Sequence, residues 1–147
     1  MVRSGRTIPR QPPRRSGGRR VMSDPRILLV DDDPAVRSAI AFALETEGFE
    51  VATYASAEAA LAWAPLSGDA CMILDHRLPG MDGLTLLRDL RARGIATPAI
   101  LITTNPDARL RGLVAQAGAA LLEKPLFGNA LAATIRSLSA PASSSAP

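Results

Sequence analysis

Two runs of consecutive apolar residues in this chain stop abruptly on acids. Ile27 to Val30 runs into Asp31-Asp32-Asp33, and Cys71 to Leu74 runs into Asp75. A third run, Pro98 to Ile102, ends on the hydroxyl of Thr103, and a fourth, the apolar part of Ala119 to Glu123, leads through Glu123 into Lys124-Pro125. Runs this short and this continuously apolar fit strands buried on both faces, as in a parallel sheet covered by helices above and below. An acid at the end of a buried strand is too costly to be ornamental. In such sheets, sites form beyond the carboxyl ends of the strands. Asp31, Asp32, Asp75, Thr103 and Lys124 are therefore expected to converge on one edge.

The segments between these runs repeat at helical spacing. Asp33 and Pro34 read as cap and first turn of a helix carrying Val36, Ile40, Ala43 and Leu44, closed by Gly48. Val51 to Tyr54 reads as another strand, and Ser56 caps a helix through Trp63, with a loop from Pro65 to Asp69. Leu78 to Gly83 is a turn-rich loop before a helix marked by Leu84, Leu86, Leu87 and Leu90 and closed by Gly94. Asn105-Pro106 reads as the cap of a fourth helix through Ala117, and a last helix spans about 128–138. Five strand–helix units with right-handed crossovers predict an α/β fold, a doubly wound five-stranded parallel sheet with helices on both faces.

Composition narrows the function. The chain has 147 residues and a net charge of +3, which at first suggests a nucleic-acid partner. Seven arginines, however, lie in the first 21 residues with no acid among them. The remainder holds ten basic residues against all fourteen acidic ones, a net charge of −4. No basic face is expected on the folded part, so no direct nucleic-acid binding is predicted. No apolar stretch is long enough for a membrane span, and the location expected is cytoplasmic. Cys71 and His76 are the only residues of their types, which excludes an internal disulfide, a cysteine metal cluster and a histidine-pair site.

Residues 1–22, rich in Arg, Pro and Gly, cannot offset their ordering entropy and are expected to be disordered. Their paired arginines are not followed by a signal-peptide core. Met22, running directly into the first strand, is an alternative start of translation. Residues 23–140 are the predicted domain, and 141–147 a disordered tail.

Three carboxylates in one cleft repel each other unless a cation joins them. Oxygen ligands favour a hard divalent ion, and a site with few protein ligands that stays partly hydrated favours Mg²⁺. Lys124, the only lysine in the chain, supplies a point charge for a phosphoryl oxygen, and Thr103 a hydroxyl donor for another. Asp75 is then the candidate nucleophile of a phosphoryl transfer in which positioning and charge neutralisation supply most of the catalysis.

The segments Ile27 to Pro34, Leu74 to Gly83, Ile102-Thr103 and Glu123 to Pro125 together resemble the four signature regions of response-regulator receiver domains, in the family's order, over about residues 25–140. The flavour is that of nitrogen-fixation and LuxR-output receivers. The resemblance implies a flavodoxin-like sheet of order 2-1-3-4-5 and a phosphoryl group accepted on Asp75 from a sensor histidine kinase or phosphotransfer protein. It implies Mg²⁺ held directly by Asp32, Asp75 and the backbone carbonyl of Arg77, with Asp31 acting through water. It also implies phosphoryl contacts from Thr103 and Lys124 and a cis Lys124–Pro125 bond. The resemblance implies a signalling phosphoprotein rather than a conventional enzyme. Only nine residues follow Leu138, so the output is expected to be a separate downstream protein.

Two departures from the family pattern stand out. Leu121 occupies the place of the usual aromatic gate, and Gly118 to Lys124 is one residue short. Two rival readings remain: a degenerate receiver acting as a constitutive interaction module, which Leu121 favours, and a small Asp-nucleophile phosphatase, for which the sequence offers no general acid or capping insertion. His76 reads as an exposed loop residue beside the site that could tune phosphoryl lifetime. Arg77 and Asn105 flank the site and bear on water access, while Cys71 and Trp63 read as packing residues.

Overall fold

The computed structural model describes residues 26–63, 71–126 and 129–139. The segments expected to be disordered, 1–22 and 141–147, lie outside these, as do the loop after Trp63, the side chain of Trp63 and Gly128. The elements run β1 (Arg26–Val30), α1 (Pro34–Thr46), β2 (Glu50–Tyr54), α2 (Ala57–Trp63), β3 (Cys71–Asp75), α3 (Gly83–Ala92), β4 (Ala99–Thr103), α4 (Ala108–Gln116), β5 (Ala120–Glu123) and α5 (Ala130–Ser139). All neighbouring strands are parallel, in the order β2-β1-β3-β4-β5. The predicted doubly wound α/β sheet is the one observed.

Strand alternation sorts the core into two layers. Leu28, Val30, Met72, Leu74 and Leu101 pack on one face with Leu86, Leu87 and Leu90 of α3 and Val114 of α4. Ile27, Leu29, Cys71, Ile73, Ile100 and Ile102 pack on the other with Leu44 of α1 and Leu131 and Ile135 of α5. Every residue of β3 and β4 is buried, which explains their unbroken apolar runs. Cys71 is a core residue as expected, and burial pushes its thiol up to about 12.

The local capping is mostly as read. The Asp33 carboxylate accepts the backbone N–H groups of Ala35 (2.9 Å) and Val36 (3.2 Å), and Pro34 opens α1. Gly48, Gly94 and Gly118 close their helices with positive φ. The fourth helix departs from expectation. Its cap is Asp107, whose carboxylate accepts the Leu110 N–H at 2.8 Å, rather than Asn105-Pro106. Asn105 sits at φ 50°, in the left-handed region, and turns the chain out of β4 instead of starting the helix. Gly83, read as the end of a loop, is the first residue of α3, capped by Asp82.

Candidate functional site: an acidic cleft at the carboxyl edge of the sheet

The parallel register brings the ends of β1, β3, β4 and β5 side by side. Asp31 follows β1 and extends its ladder by one bond, donating its N–H to the Tyr54 carbonyl at 3.1 Å. Asp31 shares the alternation of Ile27 and Leu29, and Asp75 that of Cys71 and Ile73, so both fall on the α1/α5 side of the sheet. Carboxylate oxygens of Asp31, Asp32 and Asp75 all lie within 4.8 Å of one another. The Lys124 ammonium is 3.2 Å from Asp75 Oδ1. Residues 93 positions apart in the chain thus meet at one edge, as the strand-end argument requires.

The three acids are not equivalent. Asp31 is fully buried, Asp75 is 4% exposed and Asp32 faces solvent. Asp31 Oδ1 accepts the Asp33 N–H at 2.9 Å, whereas Oδ2 has no hydrogen-bond partner among the described residues. Burial holds the Asp31 carboxyl above the usual carboxylate range. Asp75 and Asp32 push in the same direction, against the Asp33 N–H and Lys124. A buried carboxylate oxygen without a donor, facing two further carboxylates, is what a hard divalent cation with oxygen ligands would satisfy. The donor set therefore fits Mg²⁺.

Thr103 ends β4 on the opposite side, with the alternation of Leu101. It is 4% exposed, and its hydroxyl lies 3.5 Å from His76 Nδ1 and 3.4 Å from the Thr104 carbonyl, to which it donates. Backbone bonds tie these strand ends together: His76 N–H to Ile102 O (2.9 Å) and Lys124 N–H to Thr103 O (2.7 Å). Arg77 follows His76 and lines a polar cleft with Asp82, Thr103, Asn105 and Asp107. The Lys124–Pro125 peptide is cis, as anticipated.

Two supporting residues, Arg37 and Glu58, went unremarked in the sequence, and a third, Gly83, was read only as part of a loop. Arg37, on the first turn of α1, donates Nη1 to the Asp31 carbonyl at 2.7 Å and so fixes the turn that carries two of the acids. Glu58 of α2 accepts the Met81 N–H at 3.0 Å and braces the loop after Asp75. Gly83 allows α3 to start against the back of the site: a Cβ there would lie 2.3 Å from the Asp75 carbonyl oxygen. The Asp82-Gly83 pair at a helix start was the available signal for the last. Contacts between α1 and the β1 turn, or between α2 and a distant loop, leave no comparable periodic trace.

Residues 27–136 match the family model of the response regulator receiver domain. The chain is 42% identical over 110 residues to the transcriptional regulatory protein FixJ of Azorhizobium caulinodans, covering 74% of this chain and 52% of that protein. It is 37% identical over 113 residues to the C4-dicarboxylate transport transcriptional regulatory protein DctD of Rhizobium meliloti, covering 76% of this chain and 25% of that protein. It spans about half the length, or less, of these relatives. Among solved structures, FixJ-N superposes with a TM-score of 0.72 at 37% identity, over 80% of this chain and 95% of that one. Matching sequence, sheet order and acidic edge together place the chain in the family of response regulator receiver domains of two-component signalling.

Proposed function

We propose that Asp75 accepts a phosphoryl group from a phosphohistidine on a sensor histidine kinase or phosphotransfer protein. The observation that carries this reading is the Lys124 ammonium 3.2 Å from Asp75 Oδ1, at a rim where three carboxylates meet within 4.8 Å. An Asp75 carboxylate oxygen attacks phosphorus. The P–N bond breaks, the donor imidazole departs with its electron pair, and an aspartyl phosphate remains. Lys124 neutralises charge on the phosphoryl oxygens, and the Thr103 hydroxyl donates to another of them. Asp32, Asp75 and the Arg77 carbonyl would hold Mg²⁺, with Asp31 acting through water. The ion, when bound, neutralises the acids and the incoming phosphoryl charge.

In this reading residues 23–140 form the receiver unit, a signalling phosphoprotein of the cytoplasm. Its modified surface is read by a separate downstream protein. The described residues contain no helix long and apolar enough to cross a membrane. Leu121, half-buried where the family pattern has an aromatic, is the one observation favouring a constitutive interaction module instead.

Beryllofluoride with Mg²⁺, followed by NMR or calorimetry, separates the readings. A saturable complex that requires Mg²⁺ and disappears in Asp75→Asn supports phosphoryl acceptance. Failure of the wild-type chain to form any complex leaves the constitutive module. Turnover of phosphate esters by the same preparation would indicate the phosphatase.

A further inference from the structure

The parallel register makes His76 a neighbour that Thr103 cannot avoid. Asp75 pairs with Ile102, so the next residues, His76 and Thr103, stand side by side where β3 and β4 end. The His76 N–H donates to the Ile102 carbonyl at 2.9 Å and locks this register one residue past the strand. Both side chains share the alternation of the α3/α4 face: His76 follows Leu74, and Thr103 follows Leu101. Asp75, one residue away, falls on the other face. The contact between His76 Nδ1 and Thr103 Oγ1, at 3.5 Å, is therefore set by the backbone as much as by rotamers. The hydroxyl's other neighbour is the Thr104 carbonyl at 3.4 Å, and strand alternation puts Thr103 and His76 on the face opposite Asp75.

We infer that His76 is a positioning residue that holds the Thr103 hydroxyl on the α4 side of the sheet edge until Asp75 is modified. This inference rests on the reading in which Thr103 donates to a phosphoryl oxygen on Asp75. In this inference the donation draws the hydroxyl off His76 by rotation of Thr103 about χ1. The imidazole then loses its hydroxyl partner beside a polar cleft of about 370 Å³ lined by Arg77, Asp82, Asn105, Asp107 and Arg109. There it can find water or a polar group of the β4–α4 loop. The Leu121 side chain carries no polar atom to answer the rotation, so the inference makes the residue directly after the acceptor the group that responds to Thr103. Because His76 acts against the modified state, it sets how readily the phosphoryl site forms.

The test begins in the unmodified chain. Methyl and three-bond coupling measurements on Thr103 report its χ1 populations in wild type, His76→Leu and His76→Asn. Leucine removes the polar partner, whereas asparagine presents an amide atom near the place of Nδ1. Leucine is expected to redistribute the Thr103 rotamers and asparagine to restore them. In the second arm, beryllofluoride is titrated in the presence of Mg²⁺. His76→Leu should bind about two- to tenfold more tightly than wild type, the range a single hydrogen bond spans. His76→Asn should return to within about twofold of wild type, and the tightening should vanish in a Thr103→Val background, as a pairwise coupling demands. Unchanged rotamers, equal behaviour of Leu and Asn, or the same tightening without the Thr103 hydroxyl would each overturn the inference. The first arm does not need an adduct, so it decides the role of His76 even if wild-type chain binds no beryllofluoride. That outcome would instead remove the phosphoryl-acceptor reading.

Discussion

Asp31 is the residue at which this fold bears most cost for its site, and replacing it should make the metal-free protein more stable. Its carboxylate is fully buried, one oxygen lacks a partner among the described residues, and two further acids approach within 4.8 Å. In Asp31→Asn the side-chain oxygen can keep the Asp33 N–H bond, while the new NH₂ replaces the orphaned Oδ2 and donates toward the remaining carboxylates. An unsatisfied buried acceptor costs about 1–3 kcal/mol. Allowing for the imperfect fit of the amide, the variant should gain about 1–2 kcal/mol, or about 4–8 °C in Tm for a domain of this size. The assay is thermal unfolding by circular dichroism with EDTA and again with Mg²⁺. Wild type at a Mg²⁺ concentration tenfold above its Kd should gain about 1.4 kcal/mol, whereas the variant, short of one anionic group, should gain much less.

The pH dependence gives an internal check. The folded Asp31 carboxyl titrates above its ordinary value of 3.8, chiefly because of burial. Between that value and its raised folded value the native state holds more protons than the unfolded chain, so stability falls as pH rises. Below 3.8 the carboxyl is neutral in both states and this loss is absent. The advantage of Asp31→Asn in EDTA should therefore be largest near neutral pH and shrink as pH drops through the window. A variant that melts below wild type in EDTA at neutral pH would refute the reasoning, as would equal stabilisation of both proteins by Mg²⁺.

Two further changes probe the supports of the site. Arg37→Met removes the bond to the Asp31 carbonyl while keeping much of the apolar stem. Mg²⁺ affinity by titration calorimetry should fall about tenfold, the scale expected when a group orienting metal ligands is lost; an unchanged Kd would mean the turn holds its shape without it. Gly83→Ala drives a methyl onto the backbone carbonyl of Asp75, which cannot yield as a side chain end could. It should cost about 1–3 kcal/mol, read as a Tm lower by about 4–12 °C, and a melting curve matching wild type would contradict the geometry.

Much of this was legible in the chain because the fold writes its buried strands as unbroken apolar runs. β1, β3 and β4 were readable from Ile27 to Val30, Cys71 to Leu74 and Pro98 to Ile102, since a strand covered on both faces has no polar alternation to blur it. The site followed from the residues that end those strands, because parallel strands deliver their carboxyl ends to one edge. The sequence did not reveal how unequal the three acids are. Asp31 and Asp32 are adjacent and chemically identical, yet alternation buries the first and exposes the second. The start of α4 was misplaced for a related reason. Asn105-Pro106 and Asp107 are all plausible caps locally, and the choice is made by the left-handed turn at Asn105 that carries the chain off the sheet. Arg37 and Glu58 act across elements, where no period along the chain records the pairing.

Leu121 raises the question of how a change at Asp75 could reach the outer surface without an aromatic on β5, and the hydrogen bonds suggest a route. Thr103 is joined to β5 through its carbonyl, which accepts the Lys124 N–H at 2.7 Å, and to α4 through the three residues that precede the Asp107 cap. The far end of α4 is held differently. Arg91 of α3 donates to the Ala117 carbonyl at 2.8 Å and, by a second nitrogen, to Ile95 and Thr97 at 2.9 and 2.8 Å. Burial disfavours its charged form, and these carbonyls offset that cost. The N-terminal half of α4 has a looser tie, Arg111 to Glu123 of β5 at 4.0 Å, so an α4 held by Arg91 at its C-terminal end is expected to swing about that end. Rotation of Thr103 toward a phosphoryl group would then appear chiefly as displacement of the Asn105 to Arg111 surface. Amide shifts on binding beryllofluoride should accordingly be largest there and smallest around Ala117, and a uniform shift along α4 would argue against a pivot.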